Sequence, residues 1–73
     1  MDTEKADHSI AEARANLSEL LVSTRLLRRT YFFTSRGKRQ AAVVPVELGE
    51  AVEKAGGADK ATAIINSHLE GDQ

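Results

Sequence analysis

Six basic side chains, Arg25, Arg28, Arg29, Arg36, Lys38 and Arg39, fall within one stretch, Leu20 to Val46, that contains no acidic residue. Guanidinium and ammonium groups at that density have one obvious chemistry, the capture of phosphates or carboxylates. The stretch carries +6, while residues 1–19 sum to −3 and residues 47–73 to −4, so a net charge of −1 conceals a basic middle between acidic ends. A segregated basic stretch is the electrostatic footprint of a polyanion partner, most often nucleic acid. The plain alternative is a solvated face on which charges happen to cluster.

Other chemistries find little support in the residues. The chain has no cysteine, which removes disulfides and thiolate metal sites, and its two histidines, His8 and His68, stand near opposite ends without metal-ligand spacing. No metal or other cofactor is expected. No Ser-His-Asp or paired-carboxylate arrangement can be argued, so the sequence reads as non-enzymatic. His68 is expected to pack or face solvent. Tyr31, Phe32 and Phe33 could stack on single-stranded bases. Three adjacent strand residues alternate faces, however, so core and dimer interface is the preferred role.

A chain of 73 residues forms one small domain with a thin core, and small scaffolds compensate with disulfides, metals or oligomerisation. Oligomerisation is the device left, and a homodimer is expected. No apolar run approaches the ~20 residues of a membrane span, and the MDTEKADH start is too polar for a signal peptide. A cytoplasmic protein without membrane contact is the expectation.

The elements that would position the basic groups follow from local signals. Residues 1–8 are polar and loose, with room for one short strand at their end. Ser9 and Glu12 form a capping box, in which the hydroxyl accepts a helix N–H and the carboxylate reaches back to the serine N–H. Ile10, Ala13, Leu17, Leu20, Leu21 and Thr24 then follow helical spacing, predicting a helix over 9–23 that Leu26 and Leu27 either extend or follow as a short second turn. TYFFTS at 30–35 and QAAVVPV at 40–46 predict a β-hairpin around Arg36-Gly37-Lys38. Pro45 marks an edge or a strand end. ELGEAVEKA at 47–55 predicts a short acidic helix, weakened by Gly49 and closed by Gly56-Gly57, a candidate hinge. Residues 58–69 form a second short amphipathic pattern with Ala61, Ile64, Ile65, His68 and Leu69 on one face, and EGDQ should fray.

SIAEARANLSELL, followed about fifteen residues later by TSRGKRQAAVVPVEL, resembles the Phd/YefM antitoxin family of type II toxin–antitoxin modules, over about residues 5–54. The resemblance implies an α+β fold: an N-terminal helix, a β-hairpin and a short helix forming a homodimer, with a short C-terminal helical toxin-binding tail. It divides the chain into a dimerisation and DNA-binding domain, 1–55, and a flexible toxin-neutralising segment, 56–73. The implied function is an autorepressor that binds double-stranded operator DNA and neutralises a cognate toxin. Alternatives are a stand-alone repressor of the same fold, or an interaction module that meets an acidic protein.

The family's Glu-Ala-Arg motif places Arg14 and, two residues later, Asn16 at the DNA groove, and its Arg-Gly-Lys turn gives Arg36 and Lys38. An arginine can fork onto guanine and an asparagine can suit adenine or a phosphate, whereas Arg14 could equally pair with Glu12 or Asp7, and Asn16 could be plain helix surface. Arg36, Lys38 and Arg39 around the turn are read as phosphate contacts, against turn solubility or edge protection, and Arg25, Arg28 and Arg29 as phosphate contacts, against a solvated loop. Ser35 stands where the family usually has arginine, and Arg25 to Arg29 replace a loop that usually carries Gly and Glu. Ile64, Ile65 and Leu69 are the expected toxin-binding residues, becoming ordered on the partner. Ser67 to Gly71 is one residue short of the inhibitory motif of antitoxins that block Fic enzymes.

Overall fold

The computed structural model describes residues 2–71 and has seven elements: β1 (Asp7–Ser9), α1 (Ile10–Ala15), α2 (Leu17–Leu27), β2 (Tyr31–Ser35), β3 (Lys38–Val43), α3 (Val46–Lys54) and α4 (Ala58–Gly71). The fold is small, mixed α+β, with a three-stranded sheet in the order β1-β2-β3. β1 runs parallel to β2, pairing His8 with Phe33, and α1 and α2 form the crossover between them. β2 and β3 are antiparallel, with Tyr31 opposite Val43 and a register shift between Phe33 and Thr34.

The expected helix over 9–23 is two helices. The Ser9 hydroxyl accepts from the Glu12 amide at 3.1 Å, so half of the capping box forms. The Glu12 carboxylate does not return to Ser9; it lies 3.2 Å from His8 Nδ1 and 3.6 Å from Lys5 Nζ. At Asn16 the backbone leaves helical geometry (φ −124°, ψ 27°), and α2 then continues to Leu27, so Leu26 and Leu27 extend the helix. The Asn16 side chain donates to the Glu12 carbonyl at 3.0 Å. A short amide that bonds nearby backbone offers the chain an alternative to helix continuation, which accounts for the break.

The hairpin turn is tighter than expected, with Arg36 (φ 54°) and Gly37 (φ 77°) both left-handed. Two such residues make the mirror-image turn whose twist matches a β-ribbon. β3 therefore begins at Lys38 and ends at Val43 rather than spanning 40–46. Pro45, which lacks an N–H, caps α3 instead, its carbonyl accepting from Leu48 and Gly49. Gly56-Gly57 closes α3 as expected: the Gly57 amide donates to Val52 O at 3.0 Å and the Gly56 amide to Glu53 O at 3.1 Å, with φ of 109° and 102°. These two bonds form the Schellman pattern. The tail segment is a helix, α4, seated on α3 through buried Ala61. Its Glu70 and Gly71 belong to α4 rather than fraying, while residues 72–73 lie outside the described residues.

The core is thin. Ala13, Leu20 and Tyr31 are buried together, with Phe33 and Val43 packed against them. Leu17 and Leu21, which the helical stripe assigned to the core side, are exposed. The phenol of Tyr31 donates to the Thr3 carbonyl at 2.6 Å, which ties the polar N-terminal segment to the sheet. Among the described residues no helix is long and apolar enough to cross a membrane.

Candidate nucleic-acid interface

β2 separates the basic stretch into two groups. Arg25, Arg28 and Arg29 lie where α2 turns into β2, and Arg36 and Lys38 lie at the hairpin tip beyond its other end. Five strand residues put these groups roughly 17 Å apart. The hairpin tip meets the start of α1: Ile10, Ser35, Arg36, Lys38 and Gln40 border one surface depression. This follows from the parallel register, which sets Ser9 beside Thr34. Arg14 is exposed in the last turn of α1.

Two of the expected phosphate contacts are not free. Arg39 forks onto Asp7, with Nη2 and Nε donating to Oδ1 at 2.8 and 3.1 Å. Its guanidinium lies 3.6 Å over the Phe32 ring centroid, a stacking arrangement suited to arginine. Arg28 Nη1 donates to Glu47 Oε2 at 2.7 Å. The basic stretch holds no acidic residue in sequence, but in space the acidic flanks fold back and supply Asp7 to Arg39 and Glu47 to Arg28. Asn16 is half-buried and its amide is committed to the Glu12 carbonyl, so base contact would require it to leave the α1–α2 junction. Among the described residues Arg14, Arg25, Arg29, Arg36 and Lys38 have no carboxylate within ion-pair distance.

The electrostatics agree with the contacts. Glu47 is held below its ordinary carboxyl value by its own backbone amide and by the Arg28 guanidinium. Glu12 is also lowered: desolvation pushes it upward, but the Lys5 ammonium, the nearby His8 ring and the helix-start bond at Ser9 outweigh that.

Among the described residues Arg28 and Arg36 are the two non-glycine residues with positive φ, at 59° and 54°. A left-handed arginine costs about 1–2 kcal/mol relative to the usual region. Both strained positions lie in the basic groups, at the end of α2 and in the hairpin turn.

Sequence reasoning missed the burial of His8, the contacts of Asp7 and Phe32 with Arg39, and that of Glu47 with Arg28. His8 is fully buried, edge-on to Tyr31 with ring centroids 5.5 Å apart, and its Nε2 donates to the Lys5 carbonyl at 2.7 Å. Asp7-His8-Ser9 is polar throughout, so the exposed–buried–exposed pattern of β1 has no counterpart in its residue types. Among the described residues no group of three or more acidic, histidine or cysteine side chains is placed to hold a metal.

At the other end of the molecule, α3 and α4 enclose an apolar groove lined by Leu48, Ala51, Val52, Ala61, Ile64 and Ile65. Ile64, Ile65 and Leu69 are all about half exposed or more. No protein-family model, curated protein or solved structure matches this chain.

Proposed function

We propose that this protein is the antitoxin of a type II toxin–antitoxin pair: a dimer that binds duplex DNA through its basic groups and engages a toxin through α4. The observation that carries the reading is the placement of unpaired cations. Among the described residues Arg25 and Arg29 at one end of β2, and Arg36 and Lys38 at the other, have no carboxylate partner, and they have no acidic sequence neighbours. Cations so arranged suit phosphates, which position a protein on a duplex without reading its sequence. Arg14, exposed on α1, is the best base-reading candidate; Asn16 is a weaker one because of its helix-junction bond.

Dimerisation is supported by area. The chain exposes 5568 Å², whereas a compact monomer of this mass exposes about 4,400 Å². The surplus exceeds the roughly 800 Å² that each partner contributes to a standard interface. Ile64, Ile65 and Leu69, with the α3 groove beside them, supply the apolar surface for the toxin.

Two measurements test the reading. Binding to the DNA upstream of its own gene should be tight and steeply salt-dependent, with log K falling by about 0.9 per phosphate neutralised for each decade of salt. Co-expression with a neighbouring small toxin should restore growth. DNA binding without rescue would indicate a stand-alone repressor; absence of salt-dependent DNA binding would indicate a protein-interaction module.

A further inference from the structure

The basic stretch contributes six cations, but two of them are already neutralised by carboxylates from the acidic flanks. We infer that Asp7 and Glu47 are positioning residues that act as internal counter-ions, holding Arg39 and Arg28 away from a polyanion and setting the strength and salt dependence of its binding. The inference rests on the polyanion reading above. The two pairs are independent in sequence and place. Arg39 reaches across 32 residues to Asp7 on β1, and Arg28 across 19 residues to Glu47 in the first turn of α3.

Geometry gives each carboxylate its role. Asp7 occupies the Nε and Nη2 donors of Arg39, the fork edge with which an arginine grips a phosphate, while Phe32 covers one face of the same guanidinium. Glu47 takes an Nη1 donor of Arg28 at 2.7 Å. A phosphate must displace these carboxylates before it can use the same donors, and the pairs lose strength as salt is added, like any exposed pair. All four side chains are about half exposed, so displacement needs no unfolding. The cations offered without displacement within the basic stretch are Arg25, Arg29, Arg36 and Lys38.

The test compares Asp7→Asn and Glu47→Gln with Glu50→Gln. The last has the same change in net charge at an α3 carboxylate that forms no ion pair. Fluorescence anisotropy with a short duplex is measured over a salt series, and circular dichroism confirms that each variant is folded. Asp7→Asn and Glu47→Gln should each bind several-fold more tightly than Glu50→Gln at low salt. Each should also steepen the slope by about 0.9, one additional phosphate. The gain from Asp7→Asn should vanish in an Arg39→Ala background, and that from Glu47→Gln in an Arg28→Ala background. Gains no larger than that of Glu50→Gln, or weaker binding, would overturn the inference. If Asp7→Asn does not fold, the Glu47 pair decides it. If the parent protein shows no salt-dependent duplex binding, the DNA reading fails by itself; elution from immobilised heparin then decides the counter-ion inference, supported if the two variants need more salt than Glu50→Gln and overturned if they do not.

Discussion

At the scale of single residues, the chain accepts local cost at basic positions. Arg36 occupies the first left-handed position of a turn that asparagine or glycine would fill without strain. Arg36→Asn should therefore raise stability by about 1 kcal/mol or less while weakening duplex binding. A melting curve and a binding isotherm on the same sample check both halves. Tyr31→Phe removes the bond to the Thr3 carbonyl and should cost about 1 kcal/mol, with faster amide exchange in the N-terminal segment. The two lowered carboxyls give a pH dependence of definite sign. Glu12 and Glu47 lie below their ordinary value of 4.5 in the fold. Their contribution is thus present above that value and is lost as pH falls below it, through the folded-state values. Acid titration followed by circular dichroism should show less acid sensitivity in Glu12→Gln and Glu47→Gln than in the parent.

At the scale of elements, the sequence was informative wherever a boundary depends on nearby residues. Ser9 starts α1, glycines close α3, and alternation plus Gly37 define the hairpin. The break at Asn16 was not legible, because the helical stripe runs unbroken through it and only the side-chain bond to Glu12 O marks the interruption. Asn16→Ala removes the bond to the Glu12 carbonyl and should cost about 1 kcal/mol, read as a lower melting temperature, and should leave Arg36 and Lys38 in place at the hairpin. The candidate site was legible as a list of cations but not as a set of free ones. Which arginines are neutralised depends on Asp7 and Glu47, and nothing local couples residues 32 or 19 positions apart. The burial of His8 was hidden for the same reason, since its cover comes from Tyr31 on a strand that enters only after both crossover helices.

At the scale of the whole molecule, the chain is open for its length. Its radius of gyration is 13.8 Å, against about 11 Å for a compact domain of this length. Among the described residues eleven large apolar side chains are exposed, while the central buried cluster holds Ala13, Leu20 and Tyr31. Five of the eleven, Leu17, Leu21, Val22, Leu26 and Leu27, lie on α2, and Leu21 and Val22 also line a groove with Val43, Val44 and Val46. Apolar surface on that scale drives association when a second copy presents the same face, since a two-fold interface is self-complementary. The folded state and the dimer should then form together, so the melting temperature should rise with protein concentration. Leu21→Glu places a charge in that groove and should lower the melting temperature and shift the sedimenting species toward a monomer. Truncation after Gly57 removes α4 yet leaves α2 and the sheet intact, and should preserve both the dimer and its duplex binding. A parent protein that sediments as a folded monomer at micromolar concentration, with a melting temperature independent of dilution, would show instead that the thin core suffices.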